Sequence, residues 1–243
     1  MKIKIVMPFK VRFLDQITED TARKYASRDT EITCVHIQKG PDSIEGEYDG
    51  AFAVPGVLEE VGKGEEEGYD GALISCFGDP GLEAAREAAN IPIAGTAEST
   101  MLFAAGLAQR FSVVSILQNA VPRIENQARA LGISQKLASI RDIDVCVASM
   151  KSARESEEGI NRLYEQAKRC VETDGAHAIV LGATCMTAIA PKLYRMLREK
   201  DGYDIPVIDP VGVPVKFLES LVSLSLKQSK LTYMLPREKV RSV

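Results

Sequence analysis

Two stretches of this chain are alike and decide how it folds. Residues 71–79 read Gly-Ala-Leu-Ile-Ser-Cys-Phe-Gly-Asp, and residues 178–186 read Ala-Ile-Val-Leu-Gly-Ala-Thr-Cys-Met. Each is an apolar run that ends in small residues and a thiol, as a buried parallel strand does where its carboxyl end opens into a ligand-binding loop. The two runs therefore predict two thiols, Cys76 and Cys185, that face one pocket.

Strand-like and helix-like segments alternate along the whole chain. In the first half the pattern predicts strands at 2–8, 31–37, 71–75 and 91–95, and helices at 12–27, 54–68 and 80–90. In the second half it predicts strands at 111–117, 142–148, 178–181 and 206–208, and helices at 121–131, 155–173 and 187–200. This alternation indicates an α/β fold of parallel sheets with right-handed crossovers and helices on both faces.

The two halves also repeat each other. Ile91-Pro92-Ile93 and Ile205-Pro206-Val207 each follow a thiol loop after one helix, and each precedes another helical segment. We therefore expect two pseudo-symmetric lobes, each a parallel sheet flanked by helices, with the active-site cleft between them. Lobe 1 is expected to comprise 1–98 and 210–243, with the C-terminal helix packing back, and lobe 2 to comprise 99–209.

The amino-acid composition and charge balance limit the kinds of molecule that the chain is expected to bind. The chain has 243 residues, 45% of them hydrophobic, and a net charge of −4 with acids and bases interspersed. This balance predicts a small-molecule substrate and gives no basic surface for nucleic acid or for an anionic membrane. The charged N-terminal segment and the lack of about 18 consecutive apolar residues predict a cytoplasmic protein.

The five cysteines form neither a CxxC pair nor a metal-ligand spacing. In a reducing compartment we expect them to be free thiols, and we expect no metal site. Among them, Cys76 has the strongest case for chemistry, because Asp79-Pro80 is typical of a helix start with Asp as its cap. The positive end of that helix would favour a thiolate, and the backbone N–H groups of Phe77, Gly78 and Asp79 would bind a carboxylate or enolate oxygen.

Longer motifs carry a resemblance to a known family. The run 43–58 (Ser-Ile-Glu-Gly-Glu-Tyr-Asp-Gly-Ala-Phe-Ala-Val-Pro-Gly-Val-Leu), the run 76–82 and the run 110–115 resemble the hydantoin racemases. That family belongs to the Asp/Glu racemase superfamily, which includes allantoin racemase, glutamate racemase, maleate isomerase and arylmalonate decarboxylase. The resemblance covers nearly the whole chain. It implies two pseudo-symmetric α/β lobes, no cofactor, a homo-oligomer, and a pair of cysteines that act as opposed acid and base.

The second thiol departs from the family pattern. In the racemases a cysteine directly follows the glycine of Leu-Gly, whereas here Leu181-Gly182 is followed by Ala183, and Cys185 comes two residues later. If the segment stays extended, residues 183 and 185 point to the same side. If the loop turns into a helix at Thr184, Cys185 points elsewhere. Cys185 is thus the second acid/base, a substrate-lining residue or a packed thiol, and Thr184 is the best further polar contact.

The first strand also ends unlike the family, which has Asn-Pro-Asn-Thr where this chain has Met7-Pro8-Phe9-Lys10. The loss of both amides and the gain of an aromatic ring and a cation change which polar groups of a substrate the pocket can satisfy. We expect Phe9 to line the site, while Lys10 either meets a carboxylate or is solvated. The full set of expected substrate contacts is Pro8, Phe9, Lys10, Ser75, Phe77, Gly78, Asp79, Ser115, Gly182, Ala183 and Thr184.

Three hypotheses follow. The first is a cofactor-independent racemase or epimerase that acts on a carbon next to a carbonyl, in a hydantoin, an allantoin or a related amide or carboxylate. The second is a decarboxylase, isomerase or lyase of a small carboxylate in which Cys76 alone does the chemistry. The third is a non-catalytic small-molecule binder, against which the thiol at a helix start argues.

Overall fold

The computed structural model describes residues 1–240, and its first four strands form one parallel sheet. These strands are β1 (Lys2–Met7), β2 (Glu31–His36), β3 (Gly71–Ile74) and β4 (Ile93–Gly95). Their order across the sheet is β2-β1-β3-β4. β3 is buried at all four of its residues, as its continuous apolar run predicts.

The other four strands form a second parallel sheet. They are β5 (Phe111–Ser115), β6 (Leu137–Asp142), β7 (Ile179–Leu181) and β8 (Val207–Ile208), in the order β6-β5-β7-β8. The second sheet thus repeats the strand order of the first. The α/β fold with two pseudo-symmetric parallel sheets is confirmed.

Strand register places the two thiol loops at equivalent points. Val6 of β1 lies beside Ile74 of β3, and Val114 of β5 lies beside Leu181 of β7. β3 lies beside β1, and β7 lies beside β5. The loop that follows β3 carries Cys76, and the loop that follows β7 carries Cys185. The carboxyl ends of parallel strands are where ligands bind in α/β folds.

Helices cover both faces of the sheets. They are α1 (Asp15–Tyr25), α2 (Glu47–Glu66), α3 (Leu82–Ala88), α4 (Thr96–Leu107), α5 (Val121–Ala130), α6 (Met150–Glu155), α7 (Glu157–Glu172), α8 (Ala190–Asp201) and α9 (Gly212–Ser223). α9 packs on β3, β4 and α1, and its Val215 and Leu218 lie in a core with Ile3, Ile5 and Leu73. Residues 241–243, the end of the expected lobe 1, lie outside the described residues.

The strand expected at 142–148 is wrong. β6 occupies Leu137–Asp142 instead, and a 3-10 turn at Val147–Ser149 leads into α6, a helix that the pattern did not predict. β6 is an edge strand of half-buried residues, so it lacks a continuous apolar run. The apolar residues that follow, Ile143 and Val147, pack into the core from a loop, which gives a strand-like pattern without a strand.

α2 is longer than expected, because it begins at Glu47 rather than near residue 54 and carries Pro55 in its interior. Glu47 and Asp49 lie in its first turn, where carboxylates are favourable next to the free N–H groups. No helix among residues 1–240 is long and apolar enough to cross a membrane.

Candidate active site

One cavity brings the two thiol loops together. Cys76 and Phe77, which follow β3, and Gly182, Ala183, Thr184 and Cys185, which follow β7, all line it, with Ser115 at the end of β5 and Phe9 after β1. It encloses about 510 Å³ of empty space, its mouth included. Loops from both sheets therefore converge on one small space that both cysteines reach.

Cys76 is nearly closed off from solvent. Its side chain is 8% exposed, and the N–H of Gly78 donates to its Sγ at 3.4 Å. Burial raises the pKa of the Cys76 thiol, whereas the positive charge of Arg123 and the Gly78 N–H act to lower it. A cation and a backbone donor are thus already placed beside Cys76 to stabilise its thiolate.

Asp79 does not cap a helix that starts at Pro80, so this expectation is wrong. α3 begins at Leu82, and its N-cap is Gly81 in a left-handed conformation (φ 74°). Asp79, itself at φ 46°, turns away, and its carboxylate accepts hydrogen bonds from the N–H groups of Ala97 and Glu98 in the first turn of α4. Asp79 caps α4 and does not line the cavity with Cys76.

Of the two alternatives for the loop that carries Cys185, the structure shows the turn at Thr184, a 3-10 turn over Thr184–Met186. Cys185 nevertheless lines the cavity, and it is 3% exposed. Ala183 before it is extended (φ −156°, ψ 138°) and lines the same cavity. Burial raises the pKa of the Cys185 thiol to about 12, although the charge of Arg154 acts to lower it. A negative charge on Cys76 is a lesser cause that also acts to raise the pKa of Cys185.

Phe9 lines the cavity and is fixed from behind by His36. The imidazole Nδ1 lies 2.7 Å from the Phe9 carbonyl oxygen, and its Nε2 lies 2.7 Å from Asp15 Oδ1. The two rings also meet edge to face, with centroids 5.8 Å apart. His36 therefore acts in positioning an aromatic wall of the site.

The remaining expected contacts lie outside the cavity wall. Lys10 is exposed and forms an ion pair with Asp42 at 3.1 Å. Pro8 and Ser75 are buried behind the wall, and Gly78 stands beside it. Of the two alternatives that the sequence left for Lys10, contact with a substrate carboxylate or exposure to solvent, the structure shows exposure to solvent.

Two charged residues of the wall were missed by the sequence analysis. Arg123, in the first turn of α5, lies against Gly78, where an added Cβ would be 3.1 Å from its Nη1. Glu45 joins the two sheets' loops, because its carboxylate accepts from the Val147 N–H at 2.8 Å and its carbonyl accepts from Asn119 Nδ2 at 2.7 Å. The sequence signals were the quoted 43–58 motif for Glu45 and, for Arg123, a helix start soon after a strand end.

The described residues contain no cluster of three or more His, Cys, Asp or Glu side chains that would hold a metal ion. All five cysteines are free, as the sequence predicts. The polar groups of the site are thus two thiols, two hydroxyls, a guanidinium, a carboxylate and backbone amides. These groups suit proton transfer at a small substrate.

Comparisons with known proteins agree with this geometry. The family model for Asp/Glu/hydantoin racemase matches residues 11–218. A hydantoin racemase from Pseudomonas sp. (strain NS671) is 41% identical over 98% of this chain and 93% of its own length, and one from Paenarthrobacter aurescens is 34% identical over 98% and 99%. Among solved structures, an allantoin racemase from Klebsiella pneumoniae superposes with a TM-score of 0.91 at 37% identity, covering 100% of this chain and 96% of that one.

Proposed function

The chain belongs to the Asp/Glu/hydantoin racemase family and is a racemase, and from this premise we propose that Cys76 and Cys185 perform its proton transfers without a cofactor. The reacting carbon lies next to a carbonyl, in a hydantoin, an allantoin or a related cyclic amide. The observation that carries the proposal is that both thiols line one cavity, each from the loop after an equivalent strand.

The proposed reaction removes one proton from the substrate carbon and adds another to the opposite face of the same carbon. The thiolate of one cysteine takes the proton from the substrate carbon, and the electron pair passes to the neighbouring carbonyl oxygen to give an enolate. The thiol of the other cysteine then protonates the carbon from the opposite face, which inverts it. The enzyme ends with the protonation states of the two cysteines exchanged, so the return reaction uses the same groups in reverse roles.

Cys76 is the first base in this scheme. Burial raises the pKa of both thiols, and a cation opposes this at each, Arg123 at Cys76 and Arg154 at Cys185. The Gly78 N–H donates to Cys76 Sγ, so the scheme begins with Cys76 as the base and Cys185 as the proton donor. The backbone N–H of Phe77 donates no hydrogen bond to another group among residues 1–240, so it is free to donate to the enolate oxygen.

The apolar part of the wall favours a ring with an apolar substituent. Phe9 stands where the family has an amide, and Leu14, Ile44, Ile116 and Val147 add apolar surface to the same cavity. Apolar side chains give a polar substituent no hydrogen-bond partner, and an unpaired buried polar group is costly. We propose 5-alkyl hydantoins as the class to test first.

Serine variants with solvent deuterium test the two-thiol scheme. Cys76→Ser should abolish racemisation, because a serine hydroxyl ionises far less readily than a thiol. Cys185→Ser should abolish racemisation of both enantiomers, yet Cys76 should still exchange the α-hydrogen of one enantiomer, as followed by NMR for each enantiomer separately. Near-normal turnover in Cys76→Ser, or unchanged racemisation in Cys185→Ser, would contradict the scheme. Cys146→Ser is the matched control, because that cysteine does not line the cavity.

A single-thiol reaction is the second candidate, and Ala183 is the observation that favours it. Ala183 occupies the family's cysteine position on the cavity wall, and Cys185 reaches the wall from the next turn. In a Cys185→Ala background, added Ala183→Cys should restore racemisation if a donor is needed on that face. If Cys185→Ala racemises at the wild-type rate and added Ala183→Cys changes nothing, Cys76 is the one thiol that the native chemistry needs.

A further inference from the structure

Ser115 has a hydroxyl with no partner in the interior of the protein. Its side chain is 1% exposed, and its Oγ makes no hydrogen bond to any atom of residues 1–240. It ends β5 and lines the cavity. A buried hydroxyl without a partner costs free energy, so such groups in a ligand cavity are typically satisfied by the ligand.

The guanidinium of Arg123 also has a buried N–H group without a hydrogen-bond partner. Its Nε is buried without a partner, and the side chain makes no ion pair or hydrogen bond within the described part of the chain. By contrast, the buried Arg86 and the partly buried Arg141 form ion pairs of 2.6 Å with Glu98 and Asp174. Arg123 therefore presents a planar fork of N–H donors and an unpaired positive charge to the site.

These two unpaired groups lie on the same cavity as Cys76. Arg123 packs against Gly78, which is two residues from Cys76. Ser115 is the last residue of β5 in the second sheet, and it lines the same cavity as Cys76. Both come from the second lobe, whereas Cys76 comes from the first. A substrate bound against Cys76 in this cavity therefore shares the cavity with both of these donors.

We propose that Arg123 and Ser115 together form the subsite that binds a planar oxygen-bearing group of the substrate. The group is one that carries negative charge, either the ring carbonyl oxygen that becomes the enolate or a carboxylate on the ring substituent. This proposal rests on the proposed function, because it names the substrate group that the same site holds. Arg123 donates from its fork and Ser115 donates through its hydroxyl, which satisfies both buried groups at once.

Alkylation of Cys76 tests the subsite without using racemisation. Iodoacetate carries a carboxylate and iodoacetamide carries a neutral amide, but both alkylate the same thiolate. Because a change in the thiolate fraction alters both rates equally, it cancels in the ratio of the two rates. We expect Arg123→Gln to lower the iodoacetate-to-iodoacetamide ratio at Cys76 by about tenfold or more, because it removes a charge-assisted contact. The rates are followed by mass spectrometry of the Cys76 peptide.

Three further variants make that result decisive. Arg129→Gln removes an exposed arginine on the same helix, which pairs with Glu125 at 3.1 Å, and should leave the ratio unchanged. Ser115→Ala should lower the ratio less than Arg123→Gln, and Arg123→Lys should give an intermediate value, because it keeps the charge and loses the fork. An unchanged ratio in both Arg123→Lys and Ser115→Ala overturns the proposal even if Arg123→Gln does not fold.

Substrate kinetics then separate the two sources of the oxygen group. A neutral 5-isopropylhydantoin and the anionic hydantoin-5-acetate are compared in wild type, Arg123→Gln and Arg129→Gln. If Arg123→Gln loses kcat/KM for both substrates, the subsite binds the ring oxygen. If it loses kcat/KM for hydantoin-5-acetate alone, the subsite binds the carboxylate of the substituent. If it loses kcat/KM for neither substrate, the proposed subsite is wrong. If wild type racemises neither compound, the proposed function fails for these rings, while the alkylation ratio still decides whether the subsite binds an anion.

Discussion

Asp79 shows how one residue takes a role that its neighbours in the sequence do not indicate. The Asp-Pro pair is typical of a helix start, yet the left-handed backbone at Asp79 and Gly81 directs the carboxylate to the N-terminus of α4. Gly95 leaves the room for it, because a Cβ there would lie 2.6 Å from the Asp79 carboxyl carbon. The cap thus ties the Cys76 loop to the helix after β4.

We predict that Asp79→Asn makes Cys76 react at lower pH. The charge of Asp79 is one of the causes that raise the pKa of the Cys76 thiol, so its removal lowers that pKa while the amide oxygen still accepts one N–H of α4. The pH profile of iodoacetamide alkylation at Cys76 should shift to lower pH. Glu83→Gln, an exposed carboxylate in the first turn of α3, is the control. A shift to higher pH would contradict this account.

At the scale of elements, α9 returns the C-terminal part of the chain to the first sheet. Glu219 fixes it there, because its carboxylate accepts from the Ser27 N–H at 2.7 Å and from the hydroxyls of Ser27 and Thr30. Lys216 pairs with the same carboxylate at 2.7 Å. Burial raises the pKa of Glu219, but these hydrogen bonds lower it more, so it lies below its ordinary value.

We predict that Glu219→Gln destabilises the fold in a pH-dependent way. A carboxylate whose pKa is lowered by folding stabilises the folded state above its unfolded pKa, and this stabilisation is lost as pH falls through the folded pKa. The variant should lose about 1–3 kcal/mol in the free energy of unfolding at pH 7, and the difference from wild type should shrink towards pH 4. Urea unfolding at both pH values measures it, with Glu199→Gln on the exposed face of α8 as control. A difference that grows on acidification would show that the carboxylate is not the stabilising form.

The loop after β7 is held by contact with β5. A Cβ at Gly182 would lie 2.6 Å from Val113 Cγ1 and 3.1 Å from the Val114 carbonyl oxygen, so only glycine allows this approach. The close contact sets where Ala183 and Cys185 emerge at the cavity. The sequence indicated the glycine, but the element against which it packs comes from a distant part of the chain.

At the scale of the whole molecule, Glu45 connects the two lobes across the cavity. It belongs to the segment before α2, yet it accepts from Val147 and its backbone accepts from Asn119, both in the second half of the chain. Because Glu45 and Val147 both line the cavity, the same contact joins the lobes and closes part of the wall.

We predict that the chain assembles as a homo-oligomer. Phe103 and Leu107 are about half exposed on one face of α4, at 47% and 54%, which is apolar surface that a second copy would cover. Light scattering after size exclusion should give a mass that is a multiple of 26.5 kDa. A single 26.5 kDa species at all concentrations would contradict the prediction.

Much of the architecture was predictable because local patterns encode it. Apolar runs that end in small residues mark buried parallel strands, and their repetition at Cys76 and Cys185 marked two equivalent loops. β6 escaped prediction because an edge strand lacks a continuous apolar run. The helices at α2 and α6 were misplaced or missed because proline and short turns blur helical spacing near their starts.

The sequence by itself determined the α/β class, the duplicated sheets, the family and the candidacy of the two thiols, since each depends on residues close together in the chain. Only the tertiary structure decided that Arg123 and Glu45 join the cavity wall, that Lys10 does not, and that Asp79 caps α4. It also placed Ala183 and Cys185 on the same wall. These outcomes depend on which distant segments pack against one another, and packing between distant segments leaves no local periodicity to read.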